Sequence, residues 1–194
     1  IRDILCPDKI STEEWLEAHK TAHEIGLRSN VTMMFGSVEE PIHWARHLIK
    51  TRELQRETGG FTEFVGLPFV HMASPIYLRK GARRGPTFRE NLLVHAIARI
   101  VYHGYIDNIQ ASWVKIGLDG MKQMLQAGVN DVGGTLNGEN ISRAAGAKHG
   151  QMLGKSQFEE LCQPLGRELI QRTTLYKTHR GPEGQRKHIP VAAE

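Results

Sequence analysis

Glu63 lies inside an otherwise apolar run, FTEFVGLPFV, and His71 follows that run immediately. Burial disfavours a carboxylate's charged form unless a cation or donor pairs with it. Glu63 therefore reads as an acid, base or substrate anchor, or as a structural carboxylate bonded to Arg or Lys. Gln110 and Ser112 recur two apart in IQASWV. On a strand they share one face and can together hydrogen-bond a polar ligand, or else satisfy neighbouring backbone groups. Strict alternation puts Trp113 and Lys115 on the other face, with Lys115 late enough to curl over the strand end. Asp131, Gly133 and Gly134 form NDVGG. Glycines let a ligand approach the backbone, and a following helix start favours an anion; a tight turn is the equal alternative. Glu139 and Asn140 read as caps of the next helix. The chemistry this suggests is acid–base work on, or anchoring of, a polar ligand at the ends of strands.

Other polar clusters read more plainly. His19/His23 and His43/His47 are each spaced i, i+4, as a metal site on one helix face would need, but neither pair carries HExxH. They read as surface or half-buried histidines. Met33-Met34 reads as core packing, and Gly81–Pro86 (GARRGP) as a loop before a capped helix rather than a phosphate cradle. The two cysteines, Cys6 and Cys162, form no disulfide framework and read as packed small hydrophobes of an intracellular chain.

Strands and helices must hold these groups. Ser11-Thr12-Glu13-Glu14 opens a capped helix carrying Trp15, Ala18, His19, Ala22 and Ile25, stopped by Gly26. The strand VTMMFG follows. A second helix runs from about Pro41 to Thr58, with Ala45, Leu48 and Ile49 on its buried face, and leads to FTEFVGLPFV. Thr87-Phe88-Arg89-Glu90 opens a third helix with the stripe Leu93, Ala96, Ile97, Ile100 and Val101, and IQASWV follows. A shorter helix near Asp119–Ala127 leads to DVGGTL. After that comes only helix: one near Glu139–His149, and one from the capping box Ser156-Gln157-Phe158-Glu159 carrying Leu161, Cys162, Leu165 and Leu169.

The alternation predicts an α/β fold with a parallel sheet of about four strands, apolar on both faces and covered by outer helices. A closed eight-stranded barrel needs roughly 250 residues. With 194 residues the chain reads as half a TIM-type barrel or a small open sheet. The domain spans 1–176, and 177–194 reads as a disordered basic tail holding Lys177, Arg180, Arg186 and Lys187, a solvated segment rather than a nucleic-acid surface. No apolar run is long enough for a membrane span. The lack of an initiator Met and of a signal region suggests a fragment or a processed chain.

With these residues in place, GGFTEFVGLPFVH, the RRGPT loop, NIQASWVKIG and NDVGGTLNGENISRAAG resemble the tyrosine-using component of FO synthase. This is the CofH family, also found as the C-terminal half of the fused FbiC protein, in the radical S-adenosylmethionine (radical SAM) superfamily. The likeness runs from LCPDK to about Tyr176. It implies a radical SAM barrel whose first half binds a 4Fe-4S cluster through CxxxCxxC. It also implies S-adenosyl-L-methionine as cofactor, and tyrosine and a ribitylamino-aminouracil as substrates. The activity would be transfer of a tyrosine-derived hydroxybenzyl group in deazaflavin (coenzyme F420 precursor) biosynthesis. A ring-closing component, fused or separate, is the implied protein partner, with no nucleic acid and no membrane. On this resemblance Glu63, His71, Gln110, Ser112, Asp131, Gly133, Gly134 and Glu139 belong by position to the substrate or SAM pocket.

The chain departs from the family pattern at one point: CxxxCxxC is missing, and Cys6 and Cys162 do not replace it. The expectation is a C-terminal half-barrel, inactive in the radical step by itself, with cluster ligands upstream of Ile1. Its location would be cytoplasmic, an organelle remaining open because the native N-terminus is absent. Two alternatives stand beside this: a non-catalytic half-barrel that pairs with a partner chain, and a radical SAM enzyme of the menaquinone (futalosine) pathway, which shares the SWVK and ND-GG segments. A half-barrel leaves strand edges unpaired, so the isolated chain is expected to dimerise or precipitate.

Overall fold

The structure, a computed structural model, describes residues 1–79, 81–134, 140–147, 149 and 152–177. A short helix α1 (Arg2–Leu5) precedes α2 (Thr12–Glu24), whose N-terminus is the capping box read from the sequence. Ser11 Oγ accepts from the Glu14 amide at 3.1 Å, and the Ser11 amide donates to Glu14 Oε2 at 2.7 Å. Then come β1 (Ser29–Phe35), α3 (Pro41–Thr58), β2 (Phe61–Pro68), the turn of helix α4 (Pro75–Leu78) and α5 (Phe88–Val101), capped by Thr87 and Glu90. After β3 (Ile109–Ala111) come α6 (Trp113–Gln126), α7 (Ile141–Ala144) and α8 (Lys155–Cys162), the last continued by a 3-10 turn.

The strands are parallel and lie in sequence order, β1-β2-β3. The register aligns Val31 with Phe64 and Ile109, and Met33 with Gly66 and Ala111. All six residues are buried, and they face the helices. Phe35 meets Trp44 of α3, and Phe64 meets His95 and Tyr102 of α5 and its C-terminal turn. Gly66 is where α5 comes closest to the sheet: a Cβ there would stand 2.6 Å from His95 Nε2. The same register puts Thr32, Val65 and Gln110 together on the opposite face. Sequential parallel order with α3 and α5 on one side leaves that second face, among the described residues, without a helical cover of its own, unlike a doubly wound sheet.

Several expectations need correction. Among the described residues the sheet has three strands, not four: DVGGTL contributes one bridge, Asp131 to Gln110. IQASWV is extended only to Ala111. Helix α6 begins at Trp113, so strand alternation does not govern Trp113 or Lys115. A break at Gly117 (φ 74°) divides α6, and the sequence reading caught only its second part. Strand β1 is not apolar on both faces: Val31, Met33 and Phe35 are buried while Asn30, Thr32 and Met34 are exposed, so Met33 packs in the core and Met34 does not.

Three helix faces are rotated from the expected ones. α2 turns Trp15, Leu16 and His19 inward and leaves Ala18 and Ile25 exposed. α3 buries Trp44, Leu48, Thr51, Leu54 and Gln55 and exposes Ile49. α5 buries Asn91, Val94, His95 and Ala98, while Leu93, Ile97 and Ile100 face solvent. In both α3 and α5 a polar residue that bonds or packs within the interface displaces an apolar one. Gln55 Nε2 donates to the carbonyls of Phe61 and Tyr105, and Thr51 Oγ1 meets the Tyr102 hydroxyl at 2.6 Å. α7 is a single turn rather than a helix over 139–149, and α8 starts two residues before the expected box, at an N-cap of Gly154.

Candidate functional site

The uncovered sheet face gathers a polar cluster. Glu63, in phase with Val65 on β2, is 8% exposed, and Asp131 is 7% exposed. Gln110 of β3 donates from Nε2 to Glu63 Oε2 at 2.9 Å. Asp131 follows α6 and lies beside Gln110, the Ala111 amide donating to its carbonyl at 3.1 Å. Glu63, Gln110 and Asp131 therefore meet because β2, β3 and the bridge at Asp131 are successive neighbours on one face.

Two residues absent from the sequence reading of the site complete the cluster. After α8 and its turn, Arg167 donates to the Val129 carbonyl at 3.1 Å, fastening the C-terminal segment to the loop after α6. The chain then runs under the uncovered face. Arg172 Nε donates to Asp131 Oδ2 at 2.5 Å, and its NH2 donates to Glu63 Oε2 at 3.4 Å. The Tyr176 hydroxyl reaches both Glu63 Oε2 and Asp131 Oδ2, and the Arg172 guanidinium lies 4.0 Å from the centre of the Tyr176 ring. The phenol has one proton, so it donates to one carboxylate at a time. Burial first, then the bonds and charges of Asp131 and Glu63, push the Tyr176 phenol up. Burial works against the charge on Arg172, but the bond and charge of Asp131, helped by Tyr176 and Glu63, raise it overall. All three donors to Glu63 converge on Oε2. Among the described residues no donor goes to Oε1.

The remaining candidates lie elsewhere. Asp131 Oδ1 accepts from the Gly133 amide at 2.7 Å, and the Gly134 carbonyl accepts from Trp113 Nε1 at 3.0 Å. NDVGG is thus a turn held by its own neighbours, and the Gly133 amide is already committed rather than offered to an anion. Ser112 occupies the N-cap position of α6 without a capping side-chain bond and does not join the cluster. His71 packs edge-on against Tyr77 at 4.7 Å in the loop after β2. Glu139 lies outside the described residues. Lys115 extends from α6 to Ser142 Oγ at 2.8 Å, joining the segment after β3 to α7.

Glu39, also missed, orders the loop after β1. Its Oε1 accepts from the Gly36 amide and from Trp44 Nε1 at 3.0 Å, and Oε2 accepts from Ser37 Oγ at 2.7 Å. Burial opposes its charge, but these donors outweigh burial and hold the carboxyl down at about 2. An acid two residues beyond a strand-ending Gly-Ser was the available signal. For Arg172 and Tyr176 the signal was weaker: a long cation and a phenol four apart in a polar stretch.

The histidine pairs serve the fold. His19 and His23 both meet Ser29 Oγ, at 3.1 and 2.8 Å, and pack on Phe61, while His43 Nδ1 accepts from the Glu40 amide. Among the described residues no three His, Cys, Asp or Glu side chains group as a metal ion would need. Cys162 is buried in α8 and Cys6 is partly buried after α1. These residues do not fit an iron–sulfur cluster. A cleft beside α8, lined by Cys162, Gln163, Arg167 and Leu169, contains none of the candidate residues. Among the described residues no helix is long and apolar enough to cross a membrane.

The sequence pattern of the CofH/MqnC C-terminal region matches residues 58–183. The FO synthase of Nocardia farcinica is 52% identical to the chain over 176 residues, which is 91% of this chain and 20% of that protein. The FO synthase of Mycobacterium tuberculosis is 51% identical over 176 residues, 91% of this chain and 21% of that protein. The 5-amino-6-(D-ribitylamino)uracil–L-tyrosine 4-hydroxyphenyl transferase of Methanopyrus kandleri is 48% identical over 177 residues, 91% of this chain and 48% of that protein. The chain spans about a fifth of the two FO synthases and about half of the transferase.

Proposed function

The chain belongs to the CofH/MqnC C-terminal region family, and we propose that it supplies the second half of a radical SAM barrel that transfers a tyrosine-derived hydroxybenzyl group to a ribitylamino-aminouracil. The observation that carries this reading is the 48% identity to the transferase across 91% of the chain. The sequential parallel sheet with helices on one side supports the barrel, because closing such a sheet turns its uncovered face into a lumen. Residues 1–176 form this half, and 177–194 are a basic tail, of which 178–194 lie outside the described residues.

The cofactor chemistry, reductive cleavage of S-adenosyl-L-methionine at a 4Fe-4S cluster, belongs on this reading to the part of the relatives that the chain does not span. What the chain supplies is the wall of the substrate pocket. Glu63 Oε1 accepts an N–H donor of the substrate, while Gln110 and Asp131 fix the position of the Glu63 carboxyl directly and through Tyr176. The loops after the strands, with His71, Ser112 and the Gly133-Gly134 turn, border the pocket above. A ring-closing component, fused to this one in longer relatives, receives the product. The cytoplasmic location expected from two unpaired cysteines is part of the same proposal.

The test is an anaerobic assay on the chain extended to the length of the transferase relative, with its cluster reconstituted. Consumption of tyrosine with formation of the aminouracil adduct supports the reading. Turnover of a futalosine-derived compound instead selects the menaquinone (futalosine) pathway alternative. Turnover of neither favours a non-catalytic half-barrel.

A further inference from the structure

We propose that Arg172 and Tyr176 are positioning residues that form the floor of the substrate pocket, holding Glu63 with Oε1 turned to an N–H donor of the substrate. This rests on the proposed function for its substrate but not for its geometry. Three observations carry it. First, Tyr176 has φ 56° and is the only non-glycine with positive φ among the described residues. A tyrosine accepts that conformation only when its surroundings over-determine it, and such residues concentrate at functional sites. Second, the segment is tied in along its length. Arg167 bonds to Val129, Arg172 bonds to Asp131 and Glu63, and a turn in which the Tyr176 amide donates to the Thr173 carbonyl at 3.0 Å aims the phenol back at the same two carboxylates. Third, among the described residues the charges do not cancel: two carboxylates face one guanidinium, and the phenol donates a single proton. Among the described residues the surplus acceptor is Glu63 Oε1.

A cationic or N–H donor group fits that acceptor. The ammonium of an amino acid and the amino groups of an aminouracil both have this chemistry, and steady-state kinetics separates them. In the extended, reconstituted protein, Tyr176→Phe keeps the ring and removes the hydroxyl. The expected result is a rise of about tenfold in KM for one substrate with kcat within about twofold. Arg172→Met should do the same, with partial recovery in Arg172→Lys. A change in KM for tyrosine assigns the ammonium, and a change in KM for the aminouracil assigns its amino groups. Unchanged KM for both substrates in folded Tyr176→Phe and Arg172→Met overturns the proposal.

If the wild-type extended protein turns over neither substrate, the functional reading fails and the floor is judged by trypsin. Cleavage after Arg172 and Lys177 should be slow in the wild type and at least several-fold faster in a Glu63→Gln/Asp131→Asn double variant of equal melting temperature. Equal cleavage rates overturn the floor itself.

Discussion

His47 shows how one side chain ties this fold to pH. It lies in the α2–α3 interface, 6.2 Å from the Trp15 ring, and its Nε2 is buried without a partner among the described residues. Burial, with Arg2 adding to it, pushes its imidazole down to about 4 from an ordinary 6.5. The unfolded chain therefore binds a proton at higher pH than the folded chain does. The stability this neutral His47 supplies is complete above pH 6.5 and is lost as pH falls towards 4. The shift corresponds to about 3 kcal/mol over that window. Denaturant unfolding at fixed protein concentration should show this loss in the wild type, and His47→Leu should remove that part of it. An identical pH slope in both proteins would contradict the assignment.

At this scale the sequence was half legible. Glu63, Gln110 and Asp131 could be picked out because a polar residue inside an apolar strand is conspicuous. Arg172 and Tyr176 could not, because their segment has no periodicity and reaches the site only through the tertiary path of the chain.

Among the elements, helix ends separate local from tertiary causes. Ser11-Thr12-Glu13-Glu14 and Ser156-Gln157-Phe158-Glu159 carry the same capping-box signal. Ser11 caps α2, but Ser156 lies inside the first turn of α8, where the Gly154 amide donates to Gln157 Oε1 at 2.9 Å. Ser11→Ala should therefore cost about 1 kcal/mol, and Ser156→Ala under about 0.5 kcal/mol. Thermal or urea unfolding of the two variants checks this, and equal losses would show that the second box also caps.

The helix faces were read with the right period and the wrong phase. On α5 the stripe Leu93, Ile97 and Ile100 is as apolar as the side that packs, and the choice between them was made by the sheet: Gly66 opens room for His95, and Phe64 seats against Tyr102. No local pattern encodes that choice. The same holds for β3, cut short after Ala111 because Trp113 is needed in the core, where it is 1% exposed.

At the scale of the whole molecule, the described residues form an open sheet. β1 forms one edge with seven residues, and Met34 on its uncovered face is half exposed. Long unpaired edges beside apolar surface drive association. Sedimentation should find the isolated chain dimeric or larger at micromolar concentration, and a monodisperse, cooperatively unfolding monomer would contradict this. The α/β alternation, the parallel pairing and the order of elements were legible because periodicity and caps are local. The path of the segment after α8 was not, since it follows tertiary contacts rather than a local pattern.

The most direct measurement is the tyrosine assay on the extended, cluster-reconstituted protein, run beside its Glu63→Gln variant. The account predicts formation of the aminouracil adduct by the wild type and a loss of about tenfold or more in kcat/KM on removing the Glu63 charge. Full activity in Glu63→Gln, with the adduct still formed, would contradict the assignment of the uncovered sheet face as the substrate pocket.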